Sequence, residues 1–151
     1  MPVVDTQLLA EQSAAAMWAG DAASQAMGMS LDEVRPGCAR LVMTVRPDMV
    51  NGHGICHGGF VFALADSAFA FACNSYNRNT VAQSCDIVFV NPARLGDTLV
   101  ADAVERTRFG RNGVYDVTVE LAGSAETEYI ALFRGRSREI GGTLIPVESE
   151  P

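Results

Sequence analysis

The stretch 51–77, NGHGICHGGFVFALADSAFAFACNSYN, decides how this chain folds. It opens as a glycine-rich loop and continues from Gly58 as a run of Ala, Leu, Phe and Ser with few β-branched residues. This composition predicts one long helix that ends in polar residues near Asn77. Because the helix is apolar nearly all round, we expect the rest of the chain to bury it on most sides.

Strand-like segments flank this helix on both sides. Before it, residues 38–46 alternate as a half-buried strand does, and one face carries Ala39, Leu41, Met43 and Val45. After it, short breaks separate four further strand-like runs, which are Ala82–Val90, Thr98–Arg108, Gly113–Ala122 and Tyr129–Ser137. The short connections favour antiparallel pairing. The pattern predicts an α+β fold, with one antiparallel sheet wrapped around one long central helix.

The length of 151 residues predicts a single domain over residues 1–151. Its core is expected at about 29–141, after a helical segment at about 5–28. In that segment Asp5 can cap a first helix that runs to about Trp18 and ends at Gly20. A second short helical stretch follows, up to Met27.

The net charge and the cysteine content indicate which binding partners and which cell compartment to expect. The net charge of −7, with eleven basic residues that are all Arg, argues against broad nucleic-acid binding and against docking on an anionic membrane. No signal peptide or membrane span is evident. The four cysteines (Cys38, Cys56, Cys73 and Cys85) form no CxxC or disulfide-like pattern. Reduced thiols and a cytoplasmic location are therefore expected.

Asp66 is the most informative residue, because it is the one charged side chain between His57 and Arg78. A carboxylate in an apolar helix is costly to bury unless it is paired, protonated or used. Burial would raise its pKa and make it more basic, which suits a general base or a nucleophile. The alternative is an Asp that caps or braces a loop.

Two glycines follow His57 directly at the start of the helix. Gly58 and Gly59 leave backbone N–H groups unshielded, and such donors can hold a carbonyl oxygen as it gains negative charge. A glycine pair alone often means only a turn. Followed by Asp66 eight residues into the helix, it is far more specific.

Other chemistries of this loop are less favoured. His53, Cys56 and His57 match no common zinc spacing and lack an evident fourth ligand, so no metal site and no cofactor are predicted. A Cys56 nucleophile with a histidine base is a further alternative. Adjacent side chains usually diverge, which disfavours it.

The segment 51–75 resembles the signature of PaaI-type hotdog thioesterases, the phenylacetate-degradation branch of the 4-hydroxybenzoyl-CoA thioesterase superfamily. The resemblance continues through DIVFVNPARLGDTLVA (86–101), GRNGVYDV (110–117) and ALFRGRSREIG (131–141), and so covers about 37–141. It implies a hotdog fold and hydrolysis of acyl-CoA thioesters, with phenylacetyl-CoA or hydroxyphenylacetyl-CoA as the expected substrate.

The resemblance also implies roles for single residues. Asp66 matches the catalytic carboxylate, and Gly58 matches the residue whose N–H polarises the thioester carbonyl. Asn51 and His57 match residues that orient the substrate or the water. Ser84 lies where some relatives carry a water-positioning hydroxyl, and with Gly59 it is an expected substrate contact.

The remaining candidates concern the two ends of the substrate. Arg111 and Arg94 are the leading candidates for contacts with CoA phosphates, because guanidinium groups match phosphate geometry; a surface role is the alternative for each. Four phenylalanines of the helix can line an aryl pocket, although we expect at least half to be core: Phe60, Phe62, Phe69 and Phe71.

Two other functions remain open, a hotdog hydratase or dehydratase and a non-catalytic acyl-CoA sensor. Gly58 followed by Asp66 fits hydrolysis better than either. These two residues are eight positions apart, or about 12 Å along a helix, so one chain cannot easily bring both to one carbonyl. A homodimer with antiparallel helices and shared active sites is predicted. The resemblance implies the same dimer, commonly doubled into a tetramer.

Overall fold

The computed structural model describes residues 3–147. In chain order the elements are α1 (Thr6–Gly20), α2 (Ala22–Ala26), β1 (Ser30–Arg35), β2 (Cys38–Thr44), a short 3-10 turn (Pro47–Met49), α3 (Gly58–Cys73), β3 (Thr80–Phe89), β4 (Thr98–Phe109), β5 (Asn112–Leu121) and β6 (Tyr129–Glu139). The helices and strands predicted from the sequence are confirmed to within a few residues. β1, which forms a hairpin with β2, is the additional strand.

The six strands form one antiparallel sheet in the order β1-β2-β4-β5-β6-β3. β4, β5 and β6 form the predicted meander, but β3 does not pair with β4. Residues 90–97 instead carry the chain from one edge of the sheet to its middle, where β4 pairs with β2. Eight residues can span about 26 Å when extended, which is enough for this crossing.

α3 lies against one face of the sheet and contacts all six strands. The predicted inner face of β2 is confirmed, since all four of its alternating apolar residues are buried. The helix ends at Cys73, four residues earlier than predicted. The reason is Asn74, whose side chain donates to the Thr80 carbonyl and accepts from the Thr80 N–H, both at 2.9 Å, so that the chain turns directly into β3.

The N-terminal helices pack beside α3. Asp5 caps α1 as predicted, because its carboxylate accepts hydrogen bonds from two N–H groups of the first turn. Trp18 of α1 lies against Phe71, with ring centroids 6.0 Å apart. The Ser24 hydroxyl of α2 lies 3.0 Å from the Ser67 hydroxyl of α3. None of the helices within residues 3–147 is long and apolar enough to cross a bilayer.

The single chain leaves one side of α3 uncovered. We call this side the open face of α3; it carries Gly59, Phe62, Ala63, Asp66 and Ala70, none of which is fully buried. The chain therefore buries α3 on its other sides, as expected, but leaves the open face uncovered. Beside the open face, β3 forms an edge of the sheet and is exposed along most of its length.

Candidate active site

The loop before α3 is held by Asn51. Its side-chain oxygen accepts hydrogen bonds from the N–H groups of His53 (3.0 Å) and Ile55 (3.3 Å). Its own N–H donates to the Ile55 carbonyl at 2.8 Å. Within residues 3–147 the side-chain NH2 of Asn51 has no acceptor, so this amide is the part of the residue that remains free to contact a ligand.

His57 caps α3. Its Nδ1 accepts a hydrogen bond of 2.9 Å from the Gly59 N–H, so Nδ1 is unprotonated in this arrangement and Nε2 carries the hydrogen. The expected substrate contact through the Gly59 N–H does not fit this structure, because the cap already uses that group. A side chain at Gly59 would also place its Cβ 3.0 Å from Nδ1.

Gly58 is the first residue of α3, at the positive end of the helix dipole. Across the described part of the chain its N–H has no hydrogen-bond acceptor. A Cβ at this position would lie 3.0 Å from Cζ of Phe89. A side chain at residue 58 would therefore crowd the Phe89 ring, and glycine avoids this contact.

Gly58, whose N–H is unpaired, lines a cleft of about 470 Å³. Apolar side chains form most of its wall, among them Val61, Phe89 and Ile130, and Asn51 also lines it. This volume is within the usual range for small-molecule sites. A larger cleft of about 710 Å³ lies between α1 and β1, but none of the predicted site residues lines it.

Asp66 lies on the open face of α3 and is half-buried. Its burial raises the pKa of the carboxyl group above the ordinary value of 3.8. No hydrogen bond or ion pair reaches it from any of residues 3–147, so it neither caps nor braces a loop of this chain. It does not line the cleft at Gly58. One chain thus contains both predicted groups but does not bring them together.

On β3, Cys85 is near enough to Asp66 for the charge of that carboxylate to affect its thiol. It pairs with Gly135 on the inner face of the sheet, and partial burial together with the charge of Asp66 raises the pKa of its thiol. Ser84, the expected hydroxyl, pairs with the exposed Arg136 and points to the outer face. A bulge between Ala82 and Ser84 shifts the alternation, which the sequence pattern does not reveal.

The two predicted arginines lie at opposite ends of α3. Arg94 follows Ala93, which lines the cleft, and its backbone N–H donates to Asp97 at 2.8 Å. Arg111 lies in the turn between β4 and β5, near the C-terminal end of α3. Since α3 is about 24 Å long, the two guanidinium groups of one chain do not flank one cleft.

The helix phenylalanines are mainly structural. Phe69 and Phe71 are 1% exposed and belong to the core, which confirms the expectation for half of the set. Phe62 packs on Phe133, and Phe60 packs edge-on against His57. The aromatic residue that does line the cleft is Phe89, which the sequence presents as an ordinary strand residue.

The thiol and metal alternatives gain no support from this loop. Cys56 is buried, which raises the pKa of its thiol and disfavours the reactive thiolate. Between residues 3 and 147 no group of three His, Cys, Asp or Glu side chains is arranged to hold a metal ion.

Known proteins are similar in sequence to this chain over most of its length. Residues 53–127 match the profile of the family described as Thioesterase superfamily. The acyl-coenzyme A thioesterase PaaI of Escherichia coli (strain K12) is 44% identical over 133 residues, which are 88% of this chain and 93% of that protein. The chain belongs to the thioesterase superfamily.

Solved structures of thioesterase-superfamily members agree with the fold. The E. coli PaaI protein from the phenylacetic acid degradation operon superimposes with a TM-score of 0.88 at 43% identity, covering 92% of this chain and 99% of that one. A variant of the phenylacetic acid degradation protein PaaI from Thermus thermophilus gives 0.72 at 37%, covering 78% and 97%. This chain is therefore a hotdog-fold thioesterase, as the resemblance implied.

Proposed function

We propose that this thioesterase hydrolyses acyl-CoA thioesters to a free acid and CoA, at active sites shared between two subunits. One observation carries the proposal: the unpaired carboxylate of Asp66 lies on an uncovered helix face, and Gly58, whose N–H is unpaired, lines an apolar cleft. A carboxylate with a raised pKa supplies a base. A free helix N-terminal N–H supplies a donor for an oxyanion.

In the hydrolysis, water attacks the thioester carbonyl carbon while the Asp66 carboxylate takes a proton from that water. The Gly58 N–H donates to the carbonyl oxygen as it becomes negative. The C–S bond then breaks, and the departing CoA sulfur takes the proton back from Asp66, leaving acid and thiol. The same carboxylate can instead attack the carbonyl carbon directly and expel the CoA thiolate, which forms a mixed anhydride with Asp66. Water then opens the anhydride, which releases the acid and restores the Asp66 carboxylate, and the proton from that water goes to the thiolate.

The distance along α3 supports a shared site. About 12 Å of helix axis separates Gly58 from Asp66, more than an aspartate side chain can reach. Two α3 helices that pack antiparallel through their open faces place Asp66 of each chain opposite Gly58 of the other. The exposed edge of β3 beside the open face also supports pairing with a second copy, since a long uncovered edge strand promotes association. A doubling of the dimer into a tetramer completes the proposed assembly.

Two further polar groups fit roles in positioning. The Nε2–H of His57 and the free amide of Asn51 are donors near the N-terminus of α3, where they can orient the substrate or the attacking water. Ser84 points away from this region, so we give it no further role.

The two arginines fit CoA binding if they come from different subunits. Arg94 adjoins the cleft of its own chain. In an antiparallel helix pair, the C-terminal end of one α3, where Arg111 lies, points toward the N-terminal end of the other. We propose that CoA phosphates contact Arg94 of one subunit and Arg111 of the second.

Similarity and cleft chemistry support an arylacetyl substrate. The E. coli relative is an acyl-coenzyme A thioesterase, and its structure is described as that of a protein from the phenylacetic acid degradation operon. The cleft at Gly58 has apolar walls and contains Phe89. We propose phenylacetyl-CoA or hydroxyphenylacetyl-CoA as the substrate. We further propose that the protein acts as a single domain and is located in the cytoplasm.

The test is release of free thiol from a panel of acyl-CoAs. We expect kcat/KM to be highest for phenylacetyl-CoA or its hydroxylated forms. Binding without thiol release would indicate a sensor, and a hydrated acyl-CoA product would indicate a hydratase; either result rejects hydrolysis. A higher kcat/KM for long-chain fatty acyl-CoAs than for every aryl substrate would reject only the arylacetyl assignment.

A further inference from the structure

Phe89 is the last residue of β3 and lies over the start of α3. It pairs with the buried Ala131, so its side chain points to the inner face of the sheet. The ring approaches Gly58 so closely that a Cβ there would lie 3.0 Å from Cζ and 3.2 Å from Cε1. The edge of the ring therefore lies against the backbone that presents the free N–H.

The rest of the ring remains uncovered in the chain. Phe89 is 54% exposed although it points to the inner face, and its exposed part lines the cleft together with Val61 and Ile130. One side of the ring thus contacts the helix start, and the other is available to a ligand.

We propose that Phe89 determines acyl-group specificity: its ring forms the aromatic wall that contacts an aryl group and shields the Gly58 N–H from bulk water. This inference rests on the proposed hydrolysis of acyl-CoA at this cleft. Aromatic rings attract one another in edge-to-face and offset arrangements beyond the effect of buried area. A shielded N–H interacts more strongly with a developing oxyanion than a hydrated one.

Val88 provides a matched control on the same strand. It is 58% exposed, close to the value for Phe89, but pairs with Leu132 on the outer face of the sheet. A change at residue 88 therefore perturbs the same strand end without altering the cleft wall.

The first experiment compares kcat/KM for phenylacetyl-CoA and hexanoyl-CoA in wild type, Phe89→Leu and Val88→Ala. Phe89→Leu should lower the phenylacetyl-to-hexanoyl ratio by roughly 3- to 10-fold, because an apolar surface remains but the aromatic partner is lost. Val88→Ala should leave the ratio within about 2-fold. An unchanged ratio in folded Phe89→Leu, or an equal shift in Val88→Ala, would overturn the inference. If wild type released thiol from no acyl-CoA of the panel, hydrolysis itself would be rejected, whereas release from long-chain acyl-CoAs alone would overturn only the specificity inference.

The second experiment uses the contact between Phe89 and Gly58. Gly58→Ala keeps the N–H but places a methyl group 3.0 Å from the ring tip, so activity should fall. Adding Phe89→Ala removes the obstructing ring. The double variant should then hydrolyse hexanoyl-CoA at least ~3-fold faster than Gly58→Ala alone, while phenylacetyl-CoA gains less. If the two substitutions were simply additive for both substrates, the proposed contact would have no role in the site.

Discussion

Gly58 and Asp66 lie on the same helix, yet Gly58 lines a cleft that Asp66 does not line. Two helical turns, or about 12 Å, separate them. A donor for the oxyanion and a base for the attacking water must both reach the same thioester carbonyl. A single chain supplies the two groups at different places, and for this reason we propose that a second chain combines them.

Asp66→Asn tests the base. The change keeps the size of the side chain and removes its basicity, so kcat for thiol release should fall by at least ~100-fold. Asp86→Asn is the matched control, because Asp86 pairs with Arg134 on the outer face of β3 and should tolerate the same change. Near-normal turnover in a folded Asp66→Asn protein would remove Asp66 from the chemistry.

The same substitution should stabilise the protein. Burial raises the pKa of Asp66 above 3.8 in the folded state, so between these two pKa values the folded state binds more protons than the unfolded state and stability falls as pH rises. At pH 7 the ionised group destabilises the fold, and Asp66→Asn should therefore have a higher Tm than wild type. The difference should shrink as pH falls toward 3.8. A lower Tm for Asp66→Asn at pH 7 would show that the carboxylate has a stabilising partner.

Arg94→Ala and Arg111→Ala test the CoA contacts. Each should raise KM for phenylacetyl-CoA while kcat changes little, because phosphate contacts bind the substrate equally before and during reaction. Neither should affect the KM for the phenylacetyl thioester of pantetheine, which lacks the nucleotide. Arg35→Ala is the control, since Arg35 pairs with Glu33 on β1. If both variants keep the wild-type KM for the CoA ester, the phosphates bind elsewhere.

The sequence predicted the parts of this structure that depend on local pattern. Asp5 capping α1 and the buried alternation of β2 are local features, and both are confirmed. The lone charge of Asp66 in an apolar helix is visible in the sequence as well. Its half-burial and raised pKa agree with that interpretation.

The features that sequence reasoning missed depend on contacts between distant segments. A one-residue bulge in β3 turns Ser84 outward and Cys85 toward α3. Gly59 looks like a free donor until His57 is seen to cap it. Phe89 lies near Gly58 because β3 forms an edge of the sheet, where it pairs with β6 and not with β4. No local pattern carries this information.

The shared active site is tested most directly by mixing two inactive variants, Gly58→Pro, which lacks the N–H, and Asp66→Ala. Each variant must first be shown to fold and to form dimers of wild-type size, and the mixed chains must be shown to exchange. In a mixed dimer one site receives both lesions and the other receives neither. Refolding equal amounts together should therefore restore roughly a quarter of wild-type thiol release. If no activity returns after exchange, each active site belongs to one chain and the proposed shared site is wrong.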